Sequence, residues 1–80
     1  MEMQTGVVLG TKSWGWVARV GQQKISLLPE RARILENGEP RLPRPAEKRP
    51  NPKHPDAVCI FGTEQKGERL TATQWALKPN

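Results

Sequence analysis

The sequence is poor in the residues from which disulfide-bonded and metal-binding proteins are built. It has one cysteine, Cys59, and one histidine, His54, in 80 residues. A single cysteine excludes an internal disulfide framework and does not make a metal site by itself, so we expect a reducing compartment. His54 stands between Lys53 and Pro55 with no second ligand at metal-binding spacing, which favours a solvated loop histidine.

Catalytic motifs are also lacking. The sequence shows no paired acid and base, no nucleophile elbow, no glycine-rich phosphate loop and no cluster of metal ligands. We therefore expect no enzymatic activity, no catalytic residue, no cofactor and no metal. Cys59 lies in an apolar run, which predicts a small core residue rather than a nucleophile.

Long hydrophobic runs are absent as well. No stretch approaches the roughly 18 apolar residues that are needed to cross a bilayer. Residues 1–10 lack the basic start and the apolar run of a signal peptide. These two observations predict a soluble cytoplasmic protein that does not associate with a membrane.

Positive charge, proline and glycine are the features that the sequence does have. Thirteen Lys and Arg against eight Asp and Glu give a net charge of +5, which favours a polyanionic partner such as nucleic acid, an acidic protein or anionic lipid. Eight prolines and seven glycines leave little room for long helices. With 35% hydrophobic residues, the chain can enclose one small core, so residues 1–80 are predicted to form a single domain.

Alternating and β-branched residues predict five short β-strands separated by turns. The predicted strands cover residues 4–9, 14–20, 24–28, 57–61 and 69–77. Polar turns are expected at 10–13 and 21–23, and a hairpin turn is expected at 65–67, where Gly67 can take a positive φ. The fourth strand is a continuous apolar run, so it should be buried on both sides.

The middle of the chain is dominated by proline. Pro29 should end the third strand, and the acidic residue that follows it predicts a single helical turn before Asn37 and Gly38. Residues 38–56 contain six of the eight prolines and five basic residues, with little apolar content. This stretch is predicted to be an extended, mobile loop. Its basic residues are either a clamp for nucleic acid or a partner, or part of a disordered segment that only adds solubility.

The most informative segment is 12–17, Lys-Ser-Trp-Gly-Trp-Val. Trp14 and Trp16 share one face of the second strand with Ala18 and Val20, because side chains alternate along a strand. On an open face, such indoles can stack unpaired bases at about 1–3 kcal/mol per base. The same spacing also fits tryptophans that fill the core of a small barrel, and spacing alone does not decide between the two.

This segment resembles the first ribonucleoprotein motif of cold-shock domains, Lys-Gly-Phe-Gly-Phe-Ile. Residues 5–8 resemble the opening strand of that family, residues 58–61 take the place of its fourth strand, and residues 66–75 resemble its close. The resemblance implies a five-stranded antiparallel OB-type barrel, here with the Pro-rich loop between strands 3 and 4. It also implies binding of single-stranded RNA or DNA, as an RNA chaperone or transcriptional regulator does, with both aromatics outward and Val17 in the core.

Two departures from the family concern its stacking surface. The first connection is shorter, and Leu9-Gly10-Thr11 replaces the aromatic group that normally extends that surface. Residues 24–28 stand where the second ribonucleoprotein motif belongs, without its aromatics or histidine. Loop cations are expected to compensate through phosphate contacts. The candidate nucleic-acid-binding residues are Lys12, Trp14, Trp16, Arg19, Lys24, Arg41, Arg44, Lys48, Arg49, Lys53 and Lys66.

Two alternatives remain open at this stage. The chain could be a small regulator that docks an OB or SH3-like barrel onto a polymerase, a nuclease or another nucleic-acid-processing protein. This alternative is suggested by the loss of the second ribonucleoprotein motif together with the long Pro-rich loop. Trp75 either fills the core or widens the stacking surface, and the scarcity of other large apolar residues favours the core.

Overall fold

The computed structural model describes residues 3–12, 15–47 and 57–78. These residues form nine β-strands and one short 3₁₀ helix. The strands are β1 (Gln4–Lys12), β2 (Gly15–Val20), β3 (Gln23–Leu27), β4 (Ile34–Glu36), β5 (Glu39–Arg41), β6 (Ala57–Ile60), β7 (Thr63–Lys66), β8 (Arg69–Ala72) and β9 (Trp75–Leu77), with the 3₁₀ helix at Pro29–Arg31. The predicted all-β class is confirmed. Within these residues, no helix is long and apolar enough to cross a membrane.

Seven of these strands form one sheet, in the order β7-β8-β3-β2-β1-β6-β9. The first three strands are an antiparallel meander, β1 also pairs antiparallel with β6, and β3 pairs parallel with β8. β4 and β5 form a separate two-stranded sheet. The seven-stranded order has β7 and β9 as its two ends, so the hydrogen-bonded sheet is not closed into a barrel.

Two strands, β8 and β9, take the place of the predicted fifth strand, which is bent between them. The predicted fourth strand corresponds to β6 and is followed by β7, which was not predicted. Gly62 separates β6 from β7 with a φ of 86°, a conformation that favours glycine. Two backbone hydrogen bonds join the bends: the Phe61 amide donates to Gln74, and the Thr73 amide donates to Gly62, at 2.8 and 2.9 Å. The two bent segments therefore remain paired across the corner.

The first strand extends further than the sequence pattern predicted. Residues 10–12, expected in a turn, belong to β1, where Lys12 pairs with Gly15. A register shift between Val8 and Gly10 marks a β-bulge at Leu9. Alternation alone does not reveal such an extra residue, so the predicted turn at 10–13 was placed too early.

The segment after β3 contains the predicted helical turn and two strands that were not predicted, β4 and β5. The 3₁₀ helix begins at Pro29, as expected, and β3 ends at Leu27 just before it. Asn37 and Gly38 have φ values of 54° and 80°, which suits the tight turn between β4 and β5. Residues 39–41, expected to be loop, form β5 because this turn brings them back along β4.

Trp75 is at the centre of the main core. Its side chain has no exposed area, and it packs in a cluster with Ile25, Leu27 and Ile60, among others. The indole Nε1–H donates to the Leu28 carbonyl at 2.8 Å, so the polar atom of the ring is satisfied. The interpretation of Trp75 as a core residue is confirmed.

A second, smaller cluster lies on the other side of β6. It consists of Cys59, Phe61 and Ala76, and Leu35 from β4 packs against it. β6 is therefore buried on both sides, as predicted, and Cys59 is a buried residue, 1% exposed. The β4–β5 hairpin covers this second cluster.

Candidate nucleic-acid interface

The two faces of β2 differ in what they contact. Trp16 and Val20 pack against the main core beside Ala18, which is fully buried. Val17 is also buried but belongs to neither core cluster, and Arg19 is exposed on the same side. Trp16 therefore departs from the outward orientation that the cold-shock resemblance implied, because a period of two places it on the side of Ala18. Val17 is 5% exposed, in agreement with the burial that the resemblance implied.

A groove of about 770 Å³ lies over the outer side of β2 and β3 and beside the β7–β8 hairpin. Its apolar lining comes from Val17, Leu28 and Leu70, and its uncharged polar lining from Ser26 and Thr71. Its charged lining residues are Lys24, Lys66, Glu68 and Arg69. We call this feature the basic groove, since three of its four charged lining residues are cations.

Strand register places cations opposite cations at this groove. Arg19 on β2 pairs with Lys24 on β3, and Lys66 on β7 pairs with Arg69 on β8. Directly opposed residues in an antiparallel pair have Cβ atoms about 4.5–5.5 Å apart, and like charges at that distance are destabilising. Both pairs flank tight turns, at 21–22 and at 67–68. The groove therefore concentrates positive charge from two hairpins.

The neighbouring carboxylates do not neutralise all of this charge. Glu64 lies 3.8 Å from Lys66 but is also 2.8 Å from Arg31, with which it makes the closer ion pair. Arg19 and Lys24 are exposed and have no ion-pair partner in residues 3–12, 15–47 and 57–78. These two cations are the strongest candidates for contact with an anion.

The predicted stacking surface is only partly within the described residues. Trp16 is half-buried, and its ring meets that of Trp75 edge-to-face, with centroids 6.1 Å apart. It therefore does not present an open face of the kind that stacking on two indoles requires. Trp14 lies outside the described residues. Lys12 lies in β1, opposite Gly15.

The cations of the Pro-rich segment divide into two groups. Arg41 donates from Nη1 and Nη2 to the two carboxylate oxygens of Glu47, each at 2.8 Å, and from Nε to Glu36 at 2.5 Å. Arg41 is thus held by two carboxylates of the protein itself, and its role as a nucleic-acid contact stays a prediction. Arg44 is exposed. Three further predicted contacts lie outside the described residues: Lys48, Arg49 and Lys53.

Glu47 is the centre of this second arrangement. Besides Arg41, it accepts the backbone N–H of Arg44 at 2.8 Å. The hydrogen bonds from Arg41, followed by that from Arg44, lower the pKa of Glu47 to about 2. The same contact with Glu47 raises the pKa of Arg41 above its ordinary value. A shallow depression of about 390 Å³ nearby is lined by Glu30, Arg33, Arg44 and Glu47, among others, so charges of both signs meet there.

Of the predicted contacts, the structure brings Lys24 and Lys66 to one groove, with Arg19 next to Lys24. It also adds Arg69, which sequence reasoning missed. The signal was present: Lys66 and Arg69 stand at either side of a two-residue turn, Gly67-Glu68, so a hairpin there must pair them. The part of the chain that the structure describes contains no group of metal-binding side chains.

Comparisons with protein-family models, curated proteins and solved structures found no match to this chain. The cold-shock resemblance therefore rests on the residues of the sequence itself.

Proposed function

We propose that this protein binds single-stranded nucleic acid in the basic groove. The observation that carries the proposal is the register of β2 and β3, which sets Arg19 opposite Lys24 with no ion-pair partner among the described residues, beside a groove that Lys66 and Arg69 also line. Placing like charges together costs stability, and a polyanion offsets that cost by neutralising them. The net charge of the chain, +5, is positive like the groove cations, so it also favours the approach of a polyanion.

We also propose that the fold is of the OB type, a partly open five-stranded barrel. In this interpretation β6 and β7 act as one bent strand, and β8 and β9 act as another. The antiparallel pairing of β1 with β6, the parallel pairing of β3 with β8 and the hydrogen bonds at the two bends support it. OB folds bind oligonucleotides on the face of their second and third strands, beside the last hairpin, which is where the basic groove lies.

The shape of the groove favours a single strand over a duplex. It is a cavity of about 770 Å³ between the face of β2 and β3 and the β7–β8 hairpin. An extended strand can enter such a concave site, whereas a duplex is a wide convex cylinder. Binding of this kind suits an RNA chaperone or a regulator that acts on unpaired RNA or DNA.

The experiment is a titration of labelled oligothymidine, followed by fluorescence anisotropy at several salt concentrations. If three or four groove cations neutralise phosphates, the logarithm of the binding constant should fall against log salt with a slope of about 2–3. Lys66→Gln combined with Arg69→Gln should weaken binding by about 10-fold or more and lower the slope by about 1.4. Lys78→Gln is the matched control, because Lys78 is exposed and does not line the groove.

Two results would overturn the proposal. One is the absence of binding at low salt. The other is binding that the hairpin double variant reduces no more than Lys78→Gln does. If the protein instead retains a partner from a nuclease-treated extract, and oligothymidine does not compete with that partner, the groove is a docking site for an acidic protein.

A further inference from the structure

The Arg19–Lys24 pair is a cost to the fold that no ion pair among the described residues offsets. The two side chains share the outer side of the sheet, are both exposed, and pair directly across β2 and β3. Neither makes an ion pair with a carboxylate among the described residues. A binding site is the kind of place where a protein retains such a cost, because the missing counter-charge comes with the ligand.

The distance between the two side chains indicates the size of the anion. Cβ atoms about 5 Å apart carry two flexible side chains that can close on one small anionic group from both sides. A phosphodiester has two unesterified oxygens, one for each cation, and charge-assisted hydrogen bonds of this type are the strong ones. The pair therefore fits a single phosphate of a strand that continues into the groove beside Lys24.

The lining of the groove indicates how the rest of the strand is held. Its apolar residues are aliphatic: Val17, Leu28 and Leu70. The aromatic rings that the structure describes lie elsewhere. Trp75 and Phe61 are buried in the two core clusters, and Trp16 packs against the main one. The described part of the groove therefore offers cations for phosphates but no ring on which a base could stack.

We infer that the groove holds a strand by its phosphates, with Arg19 and Lys24 bracketing one phosphodiester, and that it does not read or stack the bases. This inference rests on the proposed function and goes beyond it, because it names the part of the ligand that is recognised. It departs from stacking on paired aromatics, the mode that the cold-shock resemblance implies. The expected ligands are RNA and DNA strands of any sequence.

The experiment compares two labelled ligands with the same number of phosphates: oligothymidine and an abasic oligonucleotide of equal length. The unmodified protein should bind them with affinities that agree within about 2-fold, whereas each stacked base would contribute about 5-fold or more. Arg19→Gln combined with Lys24→Gln should weaken the binding of both ligands by the same factor. Because one phosphate is bracketed by both side chains, the salt slope should fall by about 0.7 and not by about 1.4.

Thermal unfolding supplies a second readout for the same variant. Removing the repulsion between Arg19 and Lys24 should raise the melting temperature by about 1–5 °C while binding weakens. A merely structural role would lower both stability and binding. Lys78→Gln is again the control, and it should leave the affinity for both ligands within about 2-fold of the unmodified protein.

Each remaining outcome has a definite meaning. If oligothymidine binds and the abasic ligand does not, the bases are read, and the inference is wrong while the proposed function stands. A preference for oligothymidine that Trp14→Ala abolishes would assign the reading to that ring. If both ligands bind equally well and the Arg19 and Lys24 substitutions do not weaken binding, these two side chains do not hold a phosphate, and the inference is wrong. If neither ligand binds the unmodified protein, the proposed function itself fails.

Discussion

In the basic groove cations stand opposite cations, whereas beside the β4–β5 hairpin the cation Arg41 is matched by carboxylates. Arg41 is held by Glu36 and Glu47, while Arg19 faces Lys24 across two strands. Both regions are rich in Arg and Lys, so composition does not separate them. The register of the neighbouring chain does: it decides whether a positive charge stabilises the fold or stays available to a partner.

The largest expected effect comes from a change where β1 lies closest to the backbone of Arg19. A Cβ added at Gly6 would meet the Arg19 carbonyl oxygen at 2.5 Å and Val20 Cγ2 at 2.7 Å. Gly6→Ala should therefore destabilise the protein by about 1–3 kcal/mol, because β1 and β2 must move apart. Urea unfolding measures the loss, and the exposed Thr5→Ala on the same strand should cost less than about 0.5 kcal/mol. Equal stability of the two variants would contradict the close approach of β1 to Arg19.

Replacing one arginine in each region should change stability in opposite directions, by a smaller amount. Arg41→Gln removes three hydrogen bonds to carboxylates and should lower the protection of the β4–β5 amides from hydrogen exchange. Arg19→Gln removes a repulsion and should raise stability by about 0.2–1 kcal/mol. Arg41→Lys keeps the charge but loses the two-pronged contact, so its amide protection should lie between those of the unmodified protein and Arg41→Gln. If both glutamine variants change stability in the same direction, the contrast between the regions is lost.

The smallest expected effect is a local response to acid. Because the pKa of Glu47 is lowered from 4.5 to about 2, its contribution to the order of residues 41–47 is fully present above about pH 4.5. That contribution is lost as the pH falls through about 2, when Glu47 takes up a proton. The Arg44 amide, which donates to Glu47, should report this midpoint in an NMR titration. Arg41→Gln should move the midpoint up toward 4.5, and a midpoint near 4.5 in the unmodified protein would show that the contact is absent in solution.

Much of the fold could be predicted from local chemistry. The pattern of apolar residues located β1, β2, β3, β6, β8 and β9, but not β4, β5 or β7. Pro29 marked the end of β3, and the continuous apolar run of β6 predicted burial on both sides. Trp75 was assigned to the core because few other large apolar residues can fill it. These features depend on residues close in sequence, so the sequence contains the information directly.

The site was harder to predict, because it depends on which side of each strand faces inward. The pattern of β2 showed two unlike faces, and the pair of tryptophans led to the prediction that the ligand binds on the side of Trp16. In the structure, Ala18 and Val20 bring that side to the core, whereas Val17 lines the groove and Arg19 is exposed opposite Lys24. The bulge at Leu9 depends on the pairing of β1 with β2, and alternation does not predict it. The strand at residues 39–41 pairs with residues 34–36 across Asn37-Gly38, a hairpin signal that the prediction of a loop did not use.

Because the β4–β5 hairpin packs over β6, the reactivity of the Cys59 thiol reports how often the folded protein opens at this place. Cys59 is the single sulfhydryl group of the chain, 1% exposed in a cluster against which Leu35 packs. A thiol-specific reagent must wait until that hairpin lifts or the sheet opens, so the modification rate counts opening events in the unaltered protein. No engineered label is needed to measure the rate at which this part of the fold opens.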